Sequence, residues 1–162
     1  MDTASTWESR CTALWNDLDN YEPAAFVRHM QRLASELPSD DPIALFEVAS
    51  AQDSTGHPDL AVPLYRAALN GGLPVGRRRR ATIQLASSLR NLGFPQEVAD
   101  LLETQIRAAS EEVDGSARAF LALSLADLGR DKEALGHALL ALSRCLPRYN
   151  RSLARHALEL VN

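Results

Sequence analysis

Polar side chains able to share a proton or grip a ligand recur at a fixed interval along this chain. Gln84, Ser87, Arg90 and Asn91 are three or four positions apart, so on a helix they share one face. Glu47, Ser50, Asp53 and Ser54 stand 37 positions earlier, residue for residue. The set 36 positions after the first is Phe120, Leu123, Ala126 and Asp127, which is mostly apolar. Two chemistries fit carboxylates, amides and an arginine in this arrangement. Desolvated around a small-molecule pocket, Glu47, Asp53 and Arg90 could do acid–base work, but nothing in the spacing demands it and no enzyme is expected. Left accessible, the strip can hold an extended peptide or a helix by hydrogen bonds. The same groups can instead satisfy one another, with Asp53 and Arg90 paired across the interval.

Other reactive residue types lack the spacing that chemistry needs. His29, His57, His137 and His156 form neither His-x-x-x-His nor Glu-x-x-His, so no metal and no cofactor is expected. Ser87 and Ser88 have no Gly-x-Ser-x-Gly turn around them, and no glycine-rich phosphate loop exists. Cys11 and Cys145 sit far apart inside helical patterns and read as small buried thiols. Arg77-Arg78-Arg79-Arg80 is the one basic run. On a helix its members point about 100° apart and cannot form one basic face. Its place at a helix start is also unfavourable for cations. The run reads as a solvated stretch, with Glu97, Asp100, Glu103 or Asp59 as candidate neutralising partners.

The elements that position these residues are helices. Each polar set ends at a glycine, Gly56, Gly93 and Gly129, spaced 37 and 36 residues apart. Glycine suits the left-handed conformation that closes a helix. Prolines mark helix starts in Glu22-Pro23, Asp41-Pro42, His57-Pro58, Phe94-Pro95 and Leu146-Pro147, and Asp114 offers a cap. Trp7, Cys11, Leu14, Trp15 and Leu18 form one apolar stripe, and Phe26, Met30, Leu33 and Leu37 another. The pattern predicts helix pairs at 42–55 with 58–70, 75–92 with 95–110, and 116–128 with 131–145, then a last helix over 148–161. That makes about nine helices, and no segment reads as a strand.

At 162 residues, 46% hydrophobic and 23% charged, the chain has the composition of one globular domain. A net charge of −4 argues against nucleic-acid binding. No run has the length of a membrane span, and Met1-Asp2-Thr3-Ala4 does not begin a signal peptide, so a cytoplasmic location is expected.

A repeat of this length marks helical hairpins that bury their apolar faces only by stacking. Aligned on the turn glycines, small residues recur at Ala49, Ala86 and Ala122 and, except for Val98, at Ala61 and Ala134. A bulky position falls at Tyr65, Leu102 and Ala138, and a late small position at Ala68, Gln105 and Ala141. These residues resemble tetratricopeptide repeats, and residues 42–155 resemble a small bacterial subfamily known as a fold rather than an activity. The resemblance implies an all-α, right-handed α-α superhelix in a single domain, 1–162. Residues 1–40 would form a helical pair that could be a degenerate repeat, 42–145 three repeats, and 147–162 a capping helix. It implies a protein-interaction module with its polar strip on the concave surface. The groove comprises Glu47, Ser50, Asp53, Gln84, Ser87, Arg90, Asn91, Leu123 and Asp127, and takes a protein or peptide partner, or the chain's own last helix. A homodimer joined through the terminal helix or the two N-terminal ones is the alternative, and an exposed patch around Trp7 and Trp15 would favour it.

Overall fold

The computed structural model describes residues 3–108 and 115–161. Among these residues the chain is all helix and turn. The helices are α1 (Thr3–Asn16), α2 (Pro23–Ala34), α3 (Pro42–Ser54), α4 (Pro58–Asn70), α5 (Val75–Asn91), α6 (Pro95–Ala108), α7 (Gly115–Asp127), α8 (Asp131–Ser143) and α9 (Asn150–Val161). A 3₁₀ turn at Leu18–Asn20 follows α1. The Asp114 cap lies outside the described residues.

Local chemistry accounts for the punctuation. The Asp41 carboxylate accepts from the backbone N–H groups of Ile43 at 2.9 Å and Ala44 at 3.0 Å, which satisfies two orphan donors at the start of α3. Pro23, Pro42 and Pro58 open α2, α3 and α4. Gly56, Gly93 and Gly129 have φ of +87°, +85° and +73°. At each of these turns the N–H after the glycine reaches the carbonyl five residues back: His57 to Gln52, Phe94 to Leu89, Arg130 to Leu125. This is the Schellman closure, made three times in one form. The α2 stripe is shorter than its sequence suggests, because the helix ends at Ala34 and Leu37 sits in the turn that follows.

Two compact units divide the chain, residues 1–88 and 89–162, with the boundary inside α5. In the first, α2 packs on α1 and on α3, and α3 and α4 form a hairpin. Its core joins Trp7, Cys11, Phe26, Met30 and Leu33 to Ala51. Full burial of each such large side chain stabilises by about 1.5–3 kcal/mol. The Trp15 and Phe26 rings lie 5.1 Å apart at 60°, a favourable tilted arrangement. Ala49, Ala61 and Ala68 are fully buried where α3 and α4 meet, with Tyr65 filling the bulky position.

In the second unit α7 packs between α6 and α8, and α9 lies along α8. Gly136 sits at that last crossing: a Cβ there would meet Val161 Cγ2 at 2.6 Å and both Ala157 O and Leu160 Cβ at 3.0 Å. Val98 is buried at its small-residue position and Leu102 at the bulky one. The third repeat departs from the pattern, since Ala138 faces solvent. Gln105 stands at a late small position, and its Oε1 is buried without a hydrogen-bond partner among the described residues. Cys145, expected to be buried, is exposed, because it falls in the turn after α8.

Candidate functional site

The recurring polar strip has two fates. On α3 it is turned inward. Glu47 is 3% exposed and Ser50 1%. The Glu47 carboxylate accepts from Trp15 Nε1 at 2.8 Å and Arg77 Nε at 3.2 Å, while Arg77 also donates to Glu8 at 2.6 Å. Burial opposes the Arg77 charge, but Glu8 and Glu47 more than offset it, so its pKa stands above the ordinary value. Ser50 Oγ donates to Gln84 Oε1 at 3.4 Å. Asp53 accepts from Ser88 Oγ at 2.8 Å and, more weakly, from Tyr65 OH at 3.5 Å. Desolvation raises the Asp53 pKa despite these two donors. Glu47, Ser50 and Asp53 thus tie α3 to α1, α4 and α5, and Glu47 and Ser50 have no open groove in front of them.

This arrangement bears on three expectations. The first concerns Asp53 and Arg90: within the first unit Asp53 takes Ser88 and Tyr65, and within the second Arg90 takes Asp127. Arg90 Nε and Nη2 reach the two Asp127 oxygens at 2.5 and 3.0 Å. Asp127 lies 37 residues after Arg90, as Asp53 lies 37 before it. The Asp127 side chain is 37% exposed, so pairing there costs little desolvation. The second concerns the arginine run. Arg77 departs from the solvated reading: it is a half-buried brace held by Glu8 and Glu47. Arg78, Arg79 and Arg80 are exposed, with the Arg80 guanidinium 5.3 Å from the Phe46 ring centre. The third concerns the aromatic patch. Trp7 is buried with Nε1 on the Leu33 carbonyl at 2.9 Å, and Trp15 is spent on Glu47.

The other fate is presentation. Asn91 and Asp127 are exposed, Arg90 and Ser87 are half-buried, and Leu123 is 46% exposed. Leu123 and Asp127 are four residues apart on one face of α7, next to the Arg90–Asp127 bridge. In the second unit the accessible residues of the predicted site are therefore Arg90, Asn91, Leu123 and Asp127; in the first, Ser87 and Gln84 are half-buried. Leu123 keeps this exposure while α9 packs on α8. Glu8, Trp15 and Arg77 had no signal as a group: Glu8 and Arg77 are 69 residues apart and follow no repeat. No group of three or more His, Cys, Asp or Glu is placed to hold a metal ion among the described residues. No described helix is long and apolar enough to cross a membrane.

Helical hairpins closed by identical glycine turns, with small residues at the crossings, define a helical-repeat protein. The chain matches the family model described as tetratrico peptide repeat over residues 42–160. It belongs to the tetratricopeptide repeat family, whose repeats generally mediate protein–protein interaction. No curated protein and no solved structure gives a match.

Proposed function

We propose that the chain is a non-catalytic cytoplasmic scaffold that binds a peptide or helix of a partner protein, with no nucleic acid and no membrane involved. The docking strip is Arg90, Asn91, Leu123 and Asp127, all in the second unit. The observation that carries this reading is a bidentate ion pair at the surface beside an exposed leucine. An exposed pair contributes at most about 1 kcal/mol to folding, so little stability is lost when a ligand borrows either charge. Arg90 can turn to a partner's carboxylate and Asp127 to a partner's cation or N–H groups, while Leu123 supplies apolar contact. Affinity capture with wild type and with Arg90→Ala, Leu123→Asp and Asp127→Ala, compared by mass spectrometry, tests it. Partners recovered by wild type should be depleted in all three variants, and equal recovery would remove the strip from consideration.

A homodimer is the second reading, and one observation favours it. Leu135 and Leu142, seven residues apart on α8, are 53% and 48% exposed, an apolar seam suited to a second helix. Sedimentation equilibrium decides this: Leu135→Glu should turn a dimer into a monomer, and a wild-type monomer at every concentration would dismiss it.

A further inference from the structure

The second unit holds a pocket of about 320 Å³ between α6, α7, α8 and α9, within the range of small-molecule sites. Among the described residues its polar wall has one cation in excess. Arg130 binds Glu133 at 2.6 Å and Glu103 at 3.4 Å, and Arg107 binds Glu103 at 3.3 Å, so two arginines balance two carboxylates. Arg118 stands outside that balance. Its Nη1 lies 3.2 Å from His137 Nδ1, and among the described residues no carboxylate pairs with it. His137 is 7% exposed, and burial followed by the nearby Arg118 charge lowers its pKa, so at neutral pH the ring is uncharged. Nδ1 then accepts from the guanidinium and the ring proton sits on Nε2. Burial also weakens the hold of Arg118 on its proton, and the like charge of Arg144 adds to this.

The rest of the wall is hydrocarbon: Ile106, Leu121, Leu140, Leu158 and Val161. A half-buried guanidinium with spare donors beside an apolar surface is matched by a planar anion carrying a hydrocarbon tail. The charge count selects the anion. The one positive charge left uncompensated among the described residues fits a monoanion, whereas a phosphate monoester would bring a second negative charge towards Glu103 and Glu133. We propose that this pocket binds a small amphiphilic carboxylate, with its head on Arg118 and its tail against Leu121, Leu140 and Leu158. The site lies on the face of α7 opposite Leu123 and Asp127, since Arg118, Leu121 and Leu125 recur at helical spacing on that face. It is therefore separate from the partner strip. Because Leu158 and Val161 belong to α9, an occupant would also fasten α9 to the rest of the unit.

Titration calorimetry of the full chain with octanoate, octan-1-ol and octyl phosphate at pH 7.5 tests the proposal. Octanoate should bind one per chain, about tenfold or more tighter than either competitor. Arg118→Gln should lower octanoate affinity by about tenfold or more and leave octanol binding unchanged. Equal binding of acid and alcohol, or an unaltered octanoate affinity in Arg118→Gln, would overturn it. The comparison of acid with alcohol on wild type stands by itself should that variant fail to fold. Arg90→Ala should bind octanoate like wild type, so failure here is distinguishable from failure of the partner strip. A short peptide ending in Leu-Leu with a free carboxylate should bind more weakly than octanoate. Tighter binding of the peptide would overturn the small-molecule assignment.

Discussion

Replacing Glu47 with alanine should unfasten the first unit. The carboxylate is 4% exposed, and its removal leaves Trp15 Nε1 without its acceptor and Arg77 with Glu8 alone. A part-buried donor left unsatisfied costs about 1–3 kcal/mol. A charge-assisted bond to a guanidinium is worth about 1.5–3 kcal/mol, and here it is partly replaced, because Arg77 keeps Glu8 and some water contact. The two losses share one group and do not add fully, so a net cost of about 2–4 kcal/mol is expected. At about 2–4 °C per kcal/mol for a chain of this size, the melting temperature should fall by roughly 5–15 °C. Glu47→Gln keeps an acceptor for Trp15 but no charge for Arg77, and should cost about half as much. Urea denaturation followed by tryptophan fluorescence reads the right place, since Trp7 and Trp15 are the only tryptophans and both lie in the first unit. A Glu47→Ala midpoint indistinguishable from wild type would show that the carboxylate is not the brace described above. Glu47→Gln as costly as Glu47→Ala would show that the charge, not the bond to Trp15, carries the cost.

Three further outcomes are expected. Burial and the adjacent Glu47 push the Cys11 thiol up to about 12 while Cys145 is exposed, so iodoacetamide at pH 8 should label Cys145 alone in the native protein and Cys11 only on unfolding. Labelling of both at similar rates would contradict this. Gly136→Ala gains about 1 kcal/mol of helix propensity but places a methyl against Val161, Ala157 and Leu160, where overpacking costs about 1–3 kcal/mol. Amide exchange in α9 should therefore quicken, and Gly136→Val should quicken it further. His137 has a lowered pKa in the folded chain, so its contribution to stability is complete above its ordinary value of 6.5 and is lost as pH falls from there through the folded value. Arg118 and Arg130 oppose its protonation, and Glu103 and Glu133 favour it. His137→Gln should flatten the stability profile over that window, and an unchanged acid limb would exclude His137 as its cause.

Much of the architecture was written in local residue chemistry. Proline and Asp41 start helices, glycine at positive φ ends them, and apolar spacing assigns faces. Each of these acts within about six residues, so the helices from α3 to α8 begin and end within a few residues of their expected limits, and Gly56, Gly93 and Gly129 make one closure three times. The repeat interval also picks out Glu47 and Asp127, yet Glu47 is buried against Trp15 and Arg77 while Asp127 is exposed. Periodicity cannot say which of several charges at the same interval will pair. Arg90 has a carboxylate one repeat back and another one repeat on, and the spacing alone does not single out the Asp127 bridge. Nor can it show that Trp15 and Arg77 converge on Glu47, or that Arg118 meets His137 with no carboxylate in attendance among the described residues. Those outcomes depend on which side chains compete for one low-dielectric space, and that competition exists only once distant segments of the chain are packed together.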